Sequence, residues 1–351
     1  MKKILFILLG ICSGIPLVAQ NVATEVTTEL DEVTYKLYNY NDVYYKIIDG
    51  ANKEVMCVDP TVYGLHWFDT WFYGNVEVNI PETIYIDGED YTVTSIRGAC
   101  FFGLTKPCVI SSTVKEIGYS NFSACDEPIK WGSGVETIER NCLNGCHYKT
   151  LDLPENLKYL GKDCVNDNFN VKTVVIPTGL IYIGSKSFCS NPELESITLP
   201  SSLKTVGTGC FCNNTSLKSV TLYPAIEDWQ AEFNNCPSIE RIEFTECPIM
   251  PNFGMFSSSF MDIDINKCIL VVPDGEKIFY EQVFSNFDFP VAKLQILEKS
   301  EEAASAGAVI SDKSRVEVSR YTTDGMQVDE NYKGLVIIQY SDGTTAKRFV
   351  E

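Results

Sequence analysis

The amino-acid sequence predicts a mainly-β repeat solenoid, a right-handed superhelix whose successive turns carry a parallel ladder of short strands. Three observations predict it. Apolar residues recur at a fixed step: Leu153, Ile176, Leu199 and Leu222 stand 23 apart, and so do Leu160, Ile183, Val206 and Trp229. Within each repeat, apolar positions lie two apart, as in Val174 and Ile176, Ile197 and Leu199, or Val220 and Leu222, the spacing of one strand face. A repeat this short cannot bury its apolar side alone, whereas stacked copies bury it against one another.

The N-terminus, residues 1–19, reads as a secretory signal peptide. Lys2 and Lys3 precede an apolar run from Ile4 to Ile11, with small and mixed residues following to Gln20. The run is too short and too early to span a bilayer. Cys12 follows Ile11 rather than the small residue that lipoprotein cleavage needs, so plain export is expected. The formal charge of −19 disfavours nucleic acid and anionic lipid as partners. Residues 20–79 are strand-like and aromatic, with Tyr35, Tyr38, Tyr40, Tyr44, Tyr45, Trp67 and Trp71. A solenoid needs a cover over its first apolar face, so a β-cap is expected here. The alternative is an aromatic platform for sugar rings or a peptide.

Residues 80–295 hold the repeats. The template is seen in LDLPENLKYLGKDCVNDN (151–168), VVIPTGLIYIGSKSFCSN (174–191) and ITLPSSLKTVGTGCFCNN (197–214). Shorter copies lie upstream, at 108–125 and 129–146, and a diverged one contains Val93 to Gly98. Downstream, Ile239, Ile242 and Phe244 keep the pattern, and Ile269 to Pro273 reads as a final turn. Each copy contains Leu-x-x-Val-x-Leu, expected as the strand, with proline ending it. Leu-x-x-Ile-Gly follows as a second apolar contact, its glycine expected to permit a tight turn. Phe122, Leu143, Val165, Phe188 and Phe211 close the copies. Seven to nine repeats are expected. The copies at Trp131 and Trp229 lack the proline or glycine.

The repeat IPxxLxxIGxxxFxxCxxLxxVxLP, which Ile176 to Pro200 fits almost position for position, resembles the BspA-type leucine-rich repeats of surface proteins from Bacteroides-like bacteria. The segment Gly88 to Phe102 is similar to the way such arrays begin. The resemblance implies a leucine-rich-repeat fold and says little about a ligand.

Residues 296–314 read as a linker, because Lys299 to Ser314 are polar and small and lack apolar periodicity. Residues 315–351 read as a small C-terminal β-module, with Asp324-Gly325 and Asp342-Gly343 as turn signals. Tyr321, Gly325, Val328, Lys333, Gly334 and Lys347 match a tail that resembles the C-terminal sorting module of exported Bacteroidetes proteins. A plain β-sheet without a sorting role is the other reading.

Little in the chain points to catalysis. His66 and His147 alone make a histidine triad or multi-histidine metal site hard to build. No hydrolase elbow, zincin, phosphate-loop or dinucleotide motif occurs. Asp262 and Asp264 fall short of a calcium ligand set. No cofactor and no metal are expected, and the protein is read as a non-enzyme. A hydrolase with an acid pair hidden among the 47 carboxylates ranks last. Cys125 and Cys146 hold the repeat position of Asn168, Asn191 and Asn214, where a side chain serves buried backbone. Cys142, Cys164, Cys189 and Cys210 flank the closing apolar residue and read as core packing rather than a disulfide or metal cluster. A disulfide among Cys57, Cys100 and Cys108 stays open.

Two surfaces are candidates for binding. The solvent side of the expected strands presents Thr150, Thr173, Ser196 and Ser219, with Asp152, Val175, Thr198 and Thr221 beside them. Tyr159 and Tyr182 stand one repeat apart on the second side and are better anchors. The expected function is an exported cell-surface or secreted protein-binding, adhesion-type module. Its partner would be an extracellular or host-surface protein, or a bacterial surface protein. The alternative is a glycan-binding accessory protein using Trp67 and Trp71 of the cap. Outer-membrane association is open; no membrane span is expected.

Overall fold

The computed structural model describes residues 21–30, 33–59, 77–223, 226–230, 233–245, 262–264, 266–284, 294–304, 317–322, 327–329, 332, 334–340 and 345–350. The expected signal peptide, His66, Trp67 and Trp71 lie outside the described residues.

The repeat generates two strands per turn. The first set comes from Leu-x-x-Ile-Gly: β9 (Glu116–Ile117), β11 (Thr137–Ile138), β13 (Tyr159–Leu160), β15 (Tyr182–Ile183), β17 (Thr205–Val206) and β19 (Asp228–Trp229). Each pairs in parallel with the next, residue for residue. β7 (Glu89–Ile96) starts this ladder, so it runs unbroken through seven strands. The segment expected only as an apolar contact is therefore the continuous ladder of the molecule.

The second set comes from Leu-x-x-Val-x-Leu and is divided into three sheets. One holds β5 (Val78–Ile80), β8 (Cys108–Ile110) and β10 (Ile129–Lys130). The next holds β12 (Thr150–Asp152) and β14 (Thr173–Val175). The last holds β16 (Ser196–Thr198), β18 (Ser219–Leu222), β20 (Arg241–Phe244), β21 (Ile269–Val272) and β22 (Gln295–Glu298). Glu195 N–H still donates to Lys172 O at 3.1 Å, but β14 and β16 do not pair.

Between the two strand sets the core is a stack of columns. Val114, Val135, Leu157, Leu180, Leu203 and Ile226 form one buried column. Ile117, Ile138, Leu160, Ile183, Val206 and Trp229 form another, with Trp229 standing where the other turns use aliphatics. The closing residues form a third. Phe188 stacks on Phe211 with ring centres 5.9 Å apart, and Phe211 on Phe233 at 4.9 Å.

The repeat glycine has a different role from the expected turn. Gly161, Gly184 and Gly207 have no left-handed φ. A Cβ on Gly184 would lie 2.5 Å from Lys162 N and 2.6 Å from Gly161 C. Glycine is required because consecutive turns touch through bare backbone. The left-handed positions fall later, two per turn and four apart, at Asp163 and Asp167, Lys186 and Ser190, Gly209 and Asn213. Short polar residues and glycine supply most of them, as αL backbone favours.

At the N-terminal end β1 (Thr24–Leu30), β2 (Val33–Tyr40), β3 (Val43–Asp49) and β4 (Glu54–Val58) form an antiparallel meander. Asn41 and Asp42, both left-handed, make the two-residue turn between β2 and β3, the geometry of a primed hairpin. β4 then pairs in parallel with β7, and β6 (Thr83–Ile86) adds to β7 as an antiparallel edge. Leu37, Tyr45 and Val55 are buried beneath the meander.

The array extends past its expected end at 295. Helix α1 (Lys277–Phe284) leads from β21, and its Tyr280, fully buried, stacks on Phe244 at 5.2 Å. β22 pairs with β21 in parallel, and residues 299–304 are helical. Arg241 binds Glu302 through both Nε and Nη2, and Lys299 pairs with Glu243 at 3.0 Å. The first part of the expected linker is thus tied to the array by charge pairs; residues 305–314 lie outside the described residues. Further on, β23 (Glu317–Thr322), β24 (Gln327–Val328), β25 (Gly334–Tyr340) and β26 (Thr345–Val350) form a four-stranded antiparallel sheet. Among the described residues no helix is long and apolar enough to cross a membrane.

Candidate functional site

The continuous ladder places Tyr159 and Tyr182 side by side, because each stands just before a buried aliphatic and so points outward. They are a register pair. Their rings stack face to face, 4.5 Å between centres and 3° from parallel. Tyr159 remains 40% exposed. Partial burial, aided by the Tyr182 hydroxyl, pushes the Tyr159 pKa above the usual tyrosine value. From the turn before Tyr159, the Arg140 guanidinium lies over the ring of Tyr119, one turn further back, at 5.5 Å, a cation–π contact. Tyr119 N–H donates to Glu139 Oε2 at 3.0 Å. Tyr119, Thr137, Glu139, Arg140, Tyr159 and Lys162 line an open groove of about 740 Å³. Its walls combine aromatic faces with both signs of charge.

The hydroxyl-rich positions lie on the divided strand set and do not form one surface. Thr150 pairs with Thr173, whose Oγ1 lies 3.3 Å from Thr150 Oγ1. Ser196 pairs with Ser219 in the next sheet. Between Thr173 and Ser196 the pairing is interrupted, and a groove of about 410 Å³ opens there, lined by Val174, Ile176, Thr198, Pro200 and Tyr223. Val174 and Ile176 are only half-buried beside it, while the equivalent Ile197 and Leu199 are buried. Tyr119 and Arg140 were missed by sequence reasoning, although their 21-residue separation puts them on one column. The break between β14 and β16 leaves no sequence signal, since both copies fit the template.

The asparagine and cysteine columns serve the backbone. Asn191 Nδ2 donates to Val165 O at 3.0 Å and Asn214 Nδ2 to Phe188 O at 2.9 Å. At the same repeat position Cys146 Sγ donates to Phe122 O, and Cys236 Sγ to Phe211 O, both at 3.2 Å. Thiol and amide thus satisfy the same carbonyl of the preceding turn. The asparagines also accept: Asn168 N–H donates to Asn191 Oδ1 at 3.1 Å, and Asn191 N–H to Asn214 Oδ1 at 2.8 Å. In the column before the closing residue, Cys142 Sγ donates to Gly118 O at 3.0 Å and Cys164 Sγ to Glu139 O at 3.3 Å. Ser187 does the same toward Gly161 O.

Twelve cysteines are described and none is in a disulfide, including Cys57, Cys100 and Cys108. Burial pushes the Cys125 and Cys236 thiols up to about 12, which keeps them as protonated, weakly nucleophilic thiols at neutral pH. His147 turns away from Cys146 and pairs with Asp126 at 2.7 Å on the surface. Asp264 caps Asn266 N–H and pairs with Lys267, and Asp262 accepts from Asn235 N–H. Among the described residues no group of three or more ligating side chains converges.

These features define a class: a stacked-turn β-solenoid that holds rigid rows of side chains on open faces. The repeats place it further. A family model described as BspA type leucine rich repeat region matches in six copies over residues 94–218 and 182–300, so the chain belongs to the BspA-type leucine-rich-repeat family. No curated protein matches significantly. Among solved structures, the chain is similar to a leucine-rich repeat protein from Bacteroides ovatus, at 17% identity and a TM-score of 0.34, covering 68% of this chain and 79% of that one. A T. pallidum leucine-rich repeat protein shares 20% identity at a TM-score of 0.31, covering 57% and 81%. A leucine-rich cell surface protein from Faecalibacterium prausnitzii shares 13% at 0.22, covering 76% and 97%.

Proposed function

We propose that the protein is an exported binding module of adhesion type, secreted or displayed at the cell surface, that holds a protein partner on the tyrosine-bearing ladder. The observation that carries this is the open groove where Arg140 covers Tyr119 and the exposed Tyr159 forms part of the wall, with the half-buried Tyr182 ring stacked parallel against Tyr159. Tyrosine and arginine are among the residues that anchor protein interfaces, and the ladder fixes the rings before a partner arrives, which reduces the entropic cost of binding. The partner is a host or bacterial surface protein. In this reading residues 1–19 direct export, 20–79 cap the array, and 315–351 serve as a surface-sorting module.

The test is binding of the labelled protein to arrays of extracellular-matrix and cell-surface proteins, then repeated with Tyr159→Ala and Tyr182→Ala. Saturable binding that weakens about 30-fold in either variant, about 2 kcal/mol as for an anchor residue, is expected. An array without a protein hit, or a hit unchanged by both substitutions, overturns the reading. Glycan-array binding lost on Trp67→Ala and Trp71→Ala would instead place recognition in the aromatic cap.

A further inference from the structure

One thiol pair differs from the rest of the cysteines. Cys189 and Cys212 are equivalent residues of consecutive turns, each just after a closing phenylalanine, in a column that otherwise carries Ser123, Asn144, Asn166 and Asn234. The two turns are joined one residue further along by Ser190 N–H to Cys212 O at 2.8 Å. Turns in such contact run one strand spacing apart, about 4.8 Å, inside the Cα separation that a disulfide spans. The two side chains leave the same column on the same side, and their thiols are in hydrogen-bond contact. Cys189 is 8% exposed and Cys212 half-buried, so a small reagent can reach the pair. The other stacked pairs, Cys142 with Cys164 and Cys125 with Cys146, are fully buried.

We propose that Cys189 and Cys212 form a redox-active dithiol that closes into a disulfide linking two consecutive turns. The surroundings of Cys189 favour its thiolate. The Cys212 thiol, Ser190 Oγ at 3.4 Å and Asn213 Nδ2 at 3.9 Å all face its sulfur. They outweigh burial and the nearby Asp167 carboxylate and bring its pKa down to about 6. Among the cysteines with a resolved shift it is the one that moves down; the others are pushed up by burial.

The oxidant is a small disulfide such as oxidised glutathione. The Cys189 thiolate attacks one of its sulfurs, forms a mixed disulfide and releases one glutathione thiolate, which takes up the proton of Cys212. The Cys212 thiolate then attacks the Cys189 sulfur and releases the second glutathione thiolate, protonated by water. Two protein thiols are oxidised and one glutathione disulfide is reduced to two thiols.

The test uses the folded full chain, exposed to oxidised glutathione at neutral pH, quenched with acid, alkylated and mapped by peptide mass spectrometry. Loss of two thiols with a Cys189–Cys212 cross-linked peptide, reversed by dithiothreitol, is expected. Cys212→Ser should instead trap glutathione on Cys189. Iodoacetamide labelling of Cys189 should reach half its limiting rate near pH 6. Retention of both thiols, a cross-link between any other pair, no trapped adduct in Cys212→Ser, or a labelling midpoint above pH 8 overturns the proposal.

Discussion

Asn191→Ala should destabilise the array strongly, and Asn191→Cys should recover much of the loss. Asn191 is fully buried. Its Nδ2 satisfies Val165 O at 3.0 Å, and its Oδ1 satisfies Asn168 N–H at 3.1 Å. Alanine leaves both backbone groups buried and unpaired, at about 1–3 kcal/mol each, and adds a small cavity, for about 3–5 kcal/mol in all. Cysteine keeps a donor aimed at the same carbonyl, as Cys146 and Cys236 already do in their own turns. Only the Asn168 N–H then loses its partner, so about 1–2 kcal/mol is expected. Urea unfolding followed by circular dichroism reads the difference. With an m-value of about 3 kcal/mol/M, the midpoint should fall by about 1–1.7 M for alanine and by about 0.3–0.7 M for cysteine. Equal losses for the two variants would refute the equivalence of thiol and amide. A loss below about 1 kcal/mol for alanine would refute the account of the column.

Gly184→Ala places a methyl 2.5 Å from Lys162 N and should cost at least about 1–3 kcal/mol through forced backbone movement. Gly179→Ala, which meets nothing within 4 Å, should melt within about a degree of the parent in a thermal scan. Burial alone would raise the Glu243 pKa, but its bonds to Lys299 and Arg241 outweigh burial and lower it below 4.5. Its contribution to stability is therefore present above pH 4.5 and is lost as pH falls through the folded-state value. Glu243→Gln should remove that acid dependence from urea midpoints measured between pH 3 and 6. Arg241→Ala leaves Glu302 without its two hydrogen bonds from the guanidinium and should speed amide hydrogen exchange in residues 299–304, with the central turns unchanged.

Much of the fold is legible in the sequence because each turn repeats the same physical problem. The 23-residue step places Leu180 over Leu157, and Ile183 over Leu160, and so determines the core columns and the register of the ladder together. Asparagine or cysteine at one position could be read as service to buried backbone, which the bonds of Asn214 and Cys236 show. The role of Gly184 was not legible, because a glycine needed for a turn and one needed for close stacking look alike in sequence. The limit of the array was hidden too. Residues 299–304 are charged or small, and what docks them is a pairing of Arg241 with Glu302 across 61 positions, which no local pattern reveals. On the candidate site, Tyr159 and Tyr182 were visible as a repeat pair. The groove that Tyr159 lines depends on Tyr119 and Arg140 from shorter copies, whose 21-residue step obscures the alignment with the 23-residue copies.

The unequal continuity of the two strand sets gives the rod an anisotropic stiffness. Flexing that stretches the β9-to-β19 side must break backbone hydrogen bonds at every turn it opens. Flexing in the opposite sense, centred between β14 and β16, meets no strand ladder there, since the two do not pair, and is opposed by the single backbone bond from Glu195 N–H to Lys172 O. The compliant direction widens the cleft lined by Val174 and Tyr223 while leaving the Tyr159–Tyr182 row fixed in register. The molecule therefore behaves as a leaf spring, with its aromatic row on the unyielding leaf and its adjustable gap on the other.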